Sequence, residues 1–92
     1  MATQFATVGS PKTVTATGAA VSGPCSLIGL FCNSTSSGTI ILYDNTAASG
    51  QVIIGTLTPT AGVYYPIPAS CANGIYATVG NTLNVTLFVA GG

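Results

Sequence analysis

In the stretch TLNVTLFV, Thr82–Val89, apolar and polar side chains take turns. Leu83, Val85, Leu87 and Val89 fall on one side of an extended chain. Thr82, Asn84, Thr86 and Phe88 fall on the other. A period of two is the pattern of a β-strand with one buried face. Working outward, GIYATVG sets Ile75, Ala77 and Val79 against Tyr76 and Thr78. QVIIGTLT sets Val52, Ile54 and Thr56 against Ile53, Gly55 and Leu57. KTVTATGAAV sets Val14 and Ala16 against Thr13, Thr15 and Thr17. β-Branched and aromatic residues dominate these runs, as pleated surfaces favour.

Turn-forming residues separate the runs: Gly9–Pro11, Ser22–Pro24, Asn33–Gly38, Asp44–Gly50, Pro59–Gly62, Pro66–Ser70 and Gly80–Asn81. Their spacing is close to the 8–12 residues between strands of an all-β domain, and Gly80–Asn81 reads as a tight hairpin turn. No window combines an apolar stripe at helical spacing with caps. The expected fold is all-β: a small antiparallel β-sandwich or jelly-roll-like barrel of about seven or eight short strands. Residues 1–92 are expected to form a single β-sandwich domain, since 92 residues suffice for one small unit.

The run CSLIGLFCNSTSSGTIILYDNTAASGQVIIG, Cys25–Gly55, departs from simple alternation. Strict alternation places Cys25, Leu27 and Phe31 on one face and Ile28, Leu30 and Cys32 on the other. Ile40 and Leu42 likewise oppose Ile41 and Tyr43. A sandwich buries only one face of each sheet, and a large exposed apolar face associates. The second face is therefore expected to meet another sheet edge, a neighbouring subunit or a larger partner; the alternative is a closed small barrel whose loops fold over it. The adjacent Tyr64 and Tyr65 point to opposite faces, so one of them is expected at solvent or a partner. The candidate interface is Ile28, Leu30, Ile41, Tyr43, Tyr64 and Tyr65.

Charge is nearly absent. Lys12 and Asp44 are the only ionic side chains, and there is no histidine. Ordinary domains carry about 25% charged residues; this one carries 2%. A neutral surface lacks the repulsion that keeps molecules apart. It also lacks the basic patch that phosphate binding needs, which argues against nucleic-acid partners. No run of about 20 apolar residues is present, which argues against a membrane-spanning helix. The opening MATQFATVGS has neither the basic nor the apolar region of a signal peptide, so synthesis in a cytoplasm is expected.

Catalysis needs a tuned acid or base. With no histidine and one carboxylate, no catalytic residues are assigned, and the chain is read as not an enzyme. Asp44 is expected to cap a turn with its own side chain, and Lys12 to lie in solvent or against a partner. The three cysteines show no CxxC spacing, and without histidine or clustered carboxylates no metal site or cofactor is expected. Cys25 and Cys32, seven apart, point to opposite faces of a regular strand and do not pair with each other. Two states stay open: three buried thiols acting as small apolar residues, or one disulfide of Cys71 with Cys25 or Cys32, Cys25–Cys71 being the first choice, formed after release from a reducing cell.

The order SGPC, SGTI, LYDNTAASG, then YYPIP, then CANGIYATVG and VTLF, spanning Thr13 to Phe88, resembles small structural proteins of tailed bacteriophages. Cys25 and Cys71 belong to that pattern; Cys32 does not stand out in it. The resemblance implies a β-sandwich present in many copies per particle, with no active site to carry over. The expected role is a capsid decoration, or cement, protein on the virion surface. It would be made in the host bacterial cytoplasm and would bind the major capsid protein as a homotrimer. The alternative is a tail, neck or fibre component that contacts other virion proteins or a host glycan. An ice-binding role for the threonine row Thr13, Thr15 and Thr17 lacks the regular repeat such surfaces need.

Overall fold

The structure is a computed structural model that describes residues 10–90. The strands are β1 (Ser10–Val14), β2 (Gly18–Ser22), β3 (Cys25–Asp44), β4 (Gln51–Leu57), β5 (Tyr64–Cys71) and β6 (Gly74–Ala90). All pairings are antiparallel and belong to one six-stranded sheet. The all-β antiparallel class is as expected. The strand count differs, because two turn signals do not interrupt the chain.

β3 and β6 pair along nearly their whole length, from Ser26↔Ala90 to Tyr43↔Tyr76. Asn33–Gly38 lies inside β3, and Gly80–Asn81 lies inside β6 rather than in a hairpin turn. Both strands change direction at the same rung. Ser37 and Asn81 have φ values of 56° and 59°, and the register shifts between Ser36 and Thr39. Left-handed residues bend a strand at modest cost when the side chain is short and polar. Asn81 Nδ2 donates to the Ser37 carbonyl at 2.8 Å, which ties the two bends together. Residues that usually end a strand here fold a continuous ladder over.

The bend divides the sheet into two halves. In one half β1 flanks β6 and β5 flanks β3; in the other, β2 flanks β6 and β4 flanks β3. At the end opposite the bend, two short links cross between the halves. Gly23–Pro24 joins β2 to β3, Ala72–Asn73 joins β5 to β6, and Gly23 N–H donates to the Asn73 carbonyl at 3.0 Å. The core lies between the halves. It is built from Leu27, Leu30 and Cys32 on one side and Ile40, Leu42, Ile75 and Ala77 on the other, with Leu83, Val85, Leu87 and Val89 as the alternation of β6 predicts.

A bulge explains the greasy front and back of CSLIGLFC. The register of β3 shifts between Leu27 and Gly29 against both neighbours: against β6 the extra residue is Ile28, and against β5 it lies on β5, between Ala69 and Pro66. One inserted residue reverses the facing of all that follow. Cys25, Leu27, Leu30 and Cys32 therefore all point inward, while Ile28 and Phe31 are half-buried. Two expectations are corrected here. Cys25 and Cys32 share the core face instead of opposing each other. Leu30, expected at the interface, is fully buried and belongs to the core.

Candidate interaction surface

The outer face of the first half carries an aromatic cluster. Phe88 pairs with Gly29, and Tyr64 pairs with Phe31. The Tyr64 and Phe88 rings lie 6.1 Å apart at 59°. The Tyr64 phenol lies on the Cα of Gly29, where a Cβ would collide with the ring. Glycine thus leaves a hollow that a neighbouring aromatic fills. Tyr64 remains 44% exposed, and Val63 beside it 40%. The outer face of the second half carries Ile41, Tyr43 and Tyr76, all half-buried, with the Tyr43 and Tyr76 rings edge to face at 6.5 Å.

The expected interface residues thus do not form one patch. Tyr64 lies on one outer face, and Ile41 and Tyr43 on the other. Ile28 is half-buried at the bulge. Tyr65 packs against the core, and its hydroxyl accepts from Thr60 N–H at 2.8 Å. Of the two adjacent tyrosines, Tyr64 is the one that meets solvent. The part of Phe88 and Gly29 in the cluster was hidden, because only cross-strand register brings them to Tyr64.

The edges differ in their protection against further pairing. β1 carries Pro11 and Lys12, β5 carries Pro66 and Pro68, and β2 is five residues long with a register shift after Ala19. Proline, charge, shortness and irregularity all discourage strand addition. β4 has neither proline nor charge, and its Val52 is 41% exposed. Between the β4 and β5 edges runs a groove of about 350 Å³ lined by Ile54, Leu57, Tyr65 and Ile67. The opposite seam, between β1 and β2, holds a cleft of about 340 Å³ beside Lys12 and Thr13.

The polar corner at the link end is organised by Asp44. Its Oδ1 accepts from Asn73 N–H at 2.9 Å and its Oδ2 from Ala72 N–H at 3.2 Å. The expected local turn cap is made instead by Asn45: its Oδ1 accepts from Thr46 N–H, and its Nδ2 donates to the Ser49 carbonyl. The N–H of Asn73 is the main cause that holds the Asp44 carboxyl below the usual carboxylate range, with the N–H groups of Ala72 and Gly74 adding to it and burial opposing. A depressed folded-state pKa contributes stability that is fully present above the unfolded value, about 4, and is lost as pH falls through the folded value. Because Asp44 is the only acidic side chain, one group reports the effect. The melting temperature is expected to stay level from neutral pH to about 5 and then to fall. Asp44→Asn should remove that fall, and parallel curves for the two proteins would refute the assignment.

The three thiols are free and buried. Burial pushes the Cys32 thiol up, and its Sγ lies 3.7 Å from the Ser34 carbonyl. Burial, then the neighbouring Cys25 and Asp44, pushes Cys71 up to about 11. Cys25 is raised first by burial, with Asp44 adding and a hydrogen bond with Cys71 opposing. Among the described residues no three histidine, cysteine or acidic side chains gather into a metal-binding group. Among the described residues no helix is long and apolar enough to cross a membrane.

Comparison with protein-family models, with curated proteins and with solved structures yields no match.

Proposed function

We propose that the chain is a structural virion component: a capsid decoration, or cement, protein that docks as a homotrimer on the major capsid lattice of a tailed phage. The observation that carries the reading is the pairing of an almost ionless chain with outer faces bearing Tyr64, Phe88, Ile41 and Tyr43. Neutral faces suit a crowded lattice, where like charges would repel. The motif order from Thr13 to Phe88 points the same way. The mechanism is binding energy alone. Each copy that buries apolar surface contributes about 25 cal/mol per Å² toward holding neighbouring capsid subunits together. Multivalent engagement multiplies the effect over the shell.

The test is binding of the purified protein to expanded, undecorated shells, followed by sedimentation, with its size in solution measured alongside. Saturable binding of an oligomer is expected, with a rise in shell disruption temperature. A lone molecule that ignores the shells would sink the proposal; binding to purified tails instead would move it to the tail. Tyr64→Ala, which removes an exposed ring, is expected to weaken shell binding roughly tenfold or more. Its melting temperature should shift by only a few degrees, which separates lost contact from lost folding.

A further inference from the structure

Cys25 opens β3 and Cys71 closes β5, and the two are direct register partners in the antiparallel ladder. Facing Cα atoms in such a ladder lie about 4.5–5.5 Å apart, within the span a disulfide requires. Both side chains are inward and nearly inaccessible, at 6% and 2% exposure. Cys32 lies elsewhere on β3, opposite Val85, with no cysteine as its register partner. One pair is therefore poised to bond and one thiol is left over.

We propose that Cys25 and Cys71 form a redox modification site that reacts with small-molecule disulfides of the glutathione type, closing a cross-strand disulfide that staples the edge strand β5 to β3. The inference stands apart from the assembly reading, since it concerns this chain alone.

The location supplies the route of reaction. The pair is the last rung of its ladder, and terminal rungs open at lower cost than interior ones. When the rung opens, the Cys25 thiolate attacks one sulfur of oxidised glutathione. The glutathione S–S bond breaks, and the departing thiolate takes up the proton that Cys25 released. The Cys71 thiolate then attacks the Cys25 sulfur of the mixed disulfide. The Cys25–Cys71 bond forms, and the second glutathione leaves as a thiol. Two protein thiols are oxidised and one glutathione disulfide is reduced to two thiols.

The consequence is a covalent clamp on a corner held in the reduced state by core packing and hydrogen bonds. Ala72 and Asn73 follow Cys71 directly and donate to Asp44, and the Asn73 carbonyl accepts from Gly23. The closed loop encloses about 45 residues, long enough for a large loss of unfolded-chain entropy.

The experiment incubates the intact protein with excess oxidised glutathione, quenches in acid, and labels remaining thiols after denaturation. Expected are a monomer lighter by two hydrogens, one labelled thiol on the Cys32 peptide, and a melting temperature higher by roughly 10–25 °C that returns on reduction. Cys71→Ser should stop the reaction at unreacted thiol or glutathione adduct on Cys25. Three labelled thiols, a bond that involves Cys32, disulfide-linked dimers, or a lowered melting temperature would each overturn the proposal.

Discussion

Gly74→Ala is expected to cost about 3–5 kcal/mol, a large part of a total stability of roughly 5–14 kcal/mol for a chain of this size. Two effects combine. Gly74 has φ of +134°, a backbone conformation that side-chain-bearing residues rarely adopt; such strain costs about 1–3 kcal/mol. A Cβ there would also collide with the Val21 carbonyl oxygen and come to 3.2 Å of the Gly23 nitrogen. Both obstacles are backbone, so no side-chain rotation relieves them. The residue lies where the Ala72–Asn73 link enters β6, opposite Ser22. Relief requires the β2–β6 ladder to move, which disturbs the Gly23–Asn73 bond. Chemical denaturation would show the midpoint falling sharply. Gly55→Ala serves as a control, because its added Cβ meets nothing within 4 Å. Equal losses for the two substitutions would refute the close approach.

Leu30→Ala is expected to cost about 2–5 kcal/mol, whereas Ile28→Ala two residues earlier should cost far less. Leu30 has no solvent exposure, while Ile28 is half-buried. The contrast tests the bulge itself. Without the extra residue, Leu27 and Phe31 would share the core face and Leu30 would point outward. Comparable losses at positions 28 and 30, or a larger one at 28, would mean that β3 runs through this region without a slip. Denaturant midpoints at constant slope are the measurement, because a constant slope shows that compactness has not changed.

The alternation in Thr82–Val89 and Ile75–Val79 was legible because β6 lies at the centre of the sheet, with one face on the core on either side of the bend. Such a strand writes its burial directly into its sequence. The number of strands was not legible. Asn33–Gly38 and Gly80–Asn81 have the composition of turns, and the same left-handed conformations that serve turns also bend a strand in mid-course. Only the partner strand, bending at the same rung, shows which of the two occurs. The facing of Leu30 was hidden for a related reason: a single inserted residue leaves no mark in composition yet reverses the phase. The role of Asp44 was hidden because its partners, Ala72 and Asn73, lie 28 and 29 residues away. Of the candidate surface, the exposure of one tyrosine in the Tyr64–Tyr65 pair was readable from the pair alone. Its packing on Gly29 and Phe88 was not.

The placement of β6 between β1 and β3 has a consequence for how the polypeptide matures. A ribosome releases β1 to β5 before β6, the strand on which β1, β2 and β3 all pair, has left the exit tunnel. Nascent chains that stop at Asn73 would hold β3 with only β4 and β5 beside it. The earliest strands must wait for β6, so closure follows its emergence and is slow for a unit of this size. During that wait the uncharged segments Leu27–Phe31 and Thr39–Tyr43 are open to chaperones.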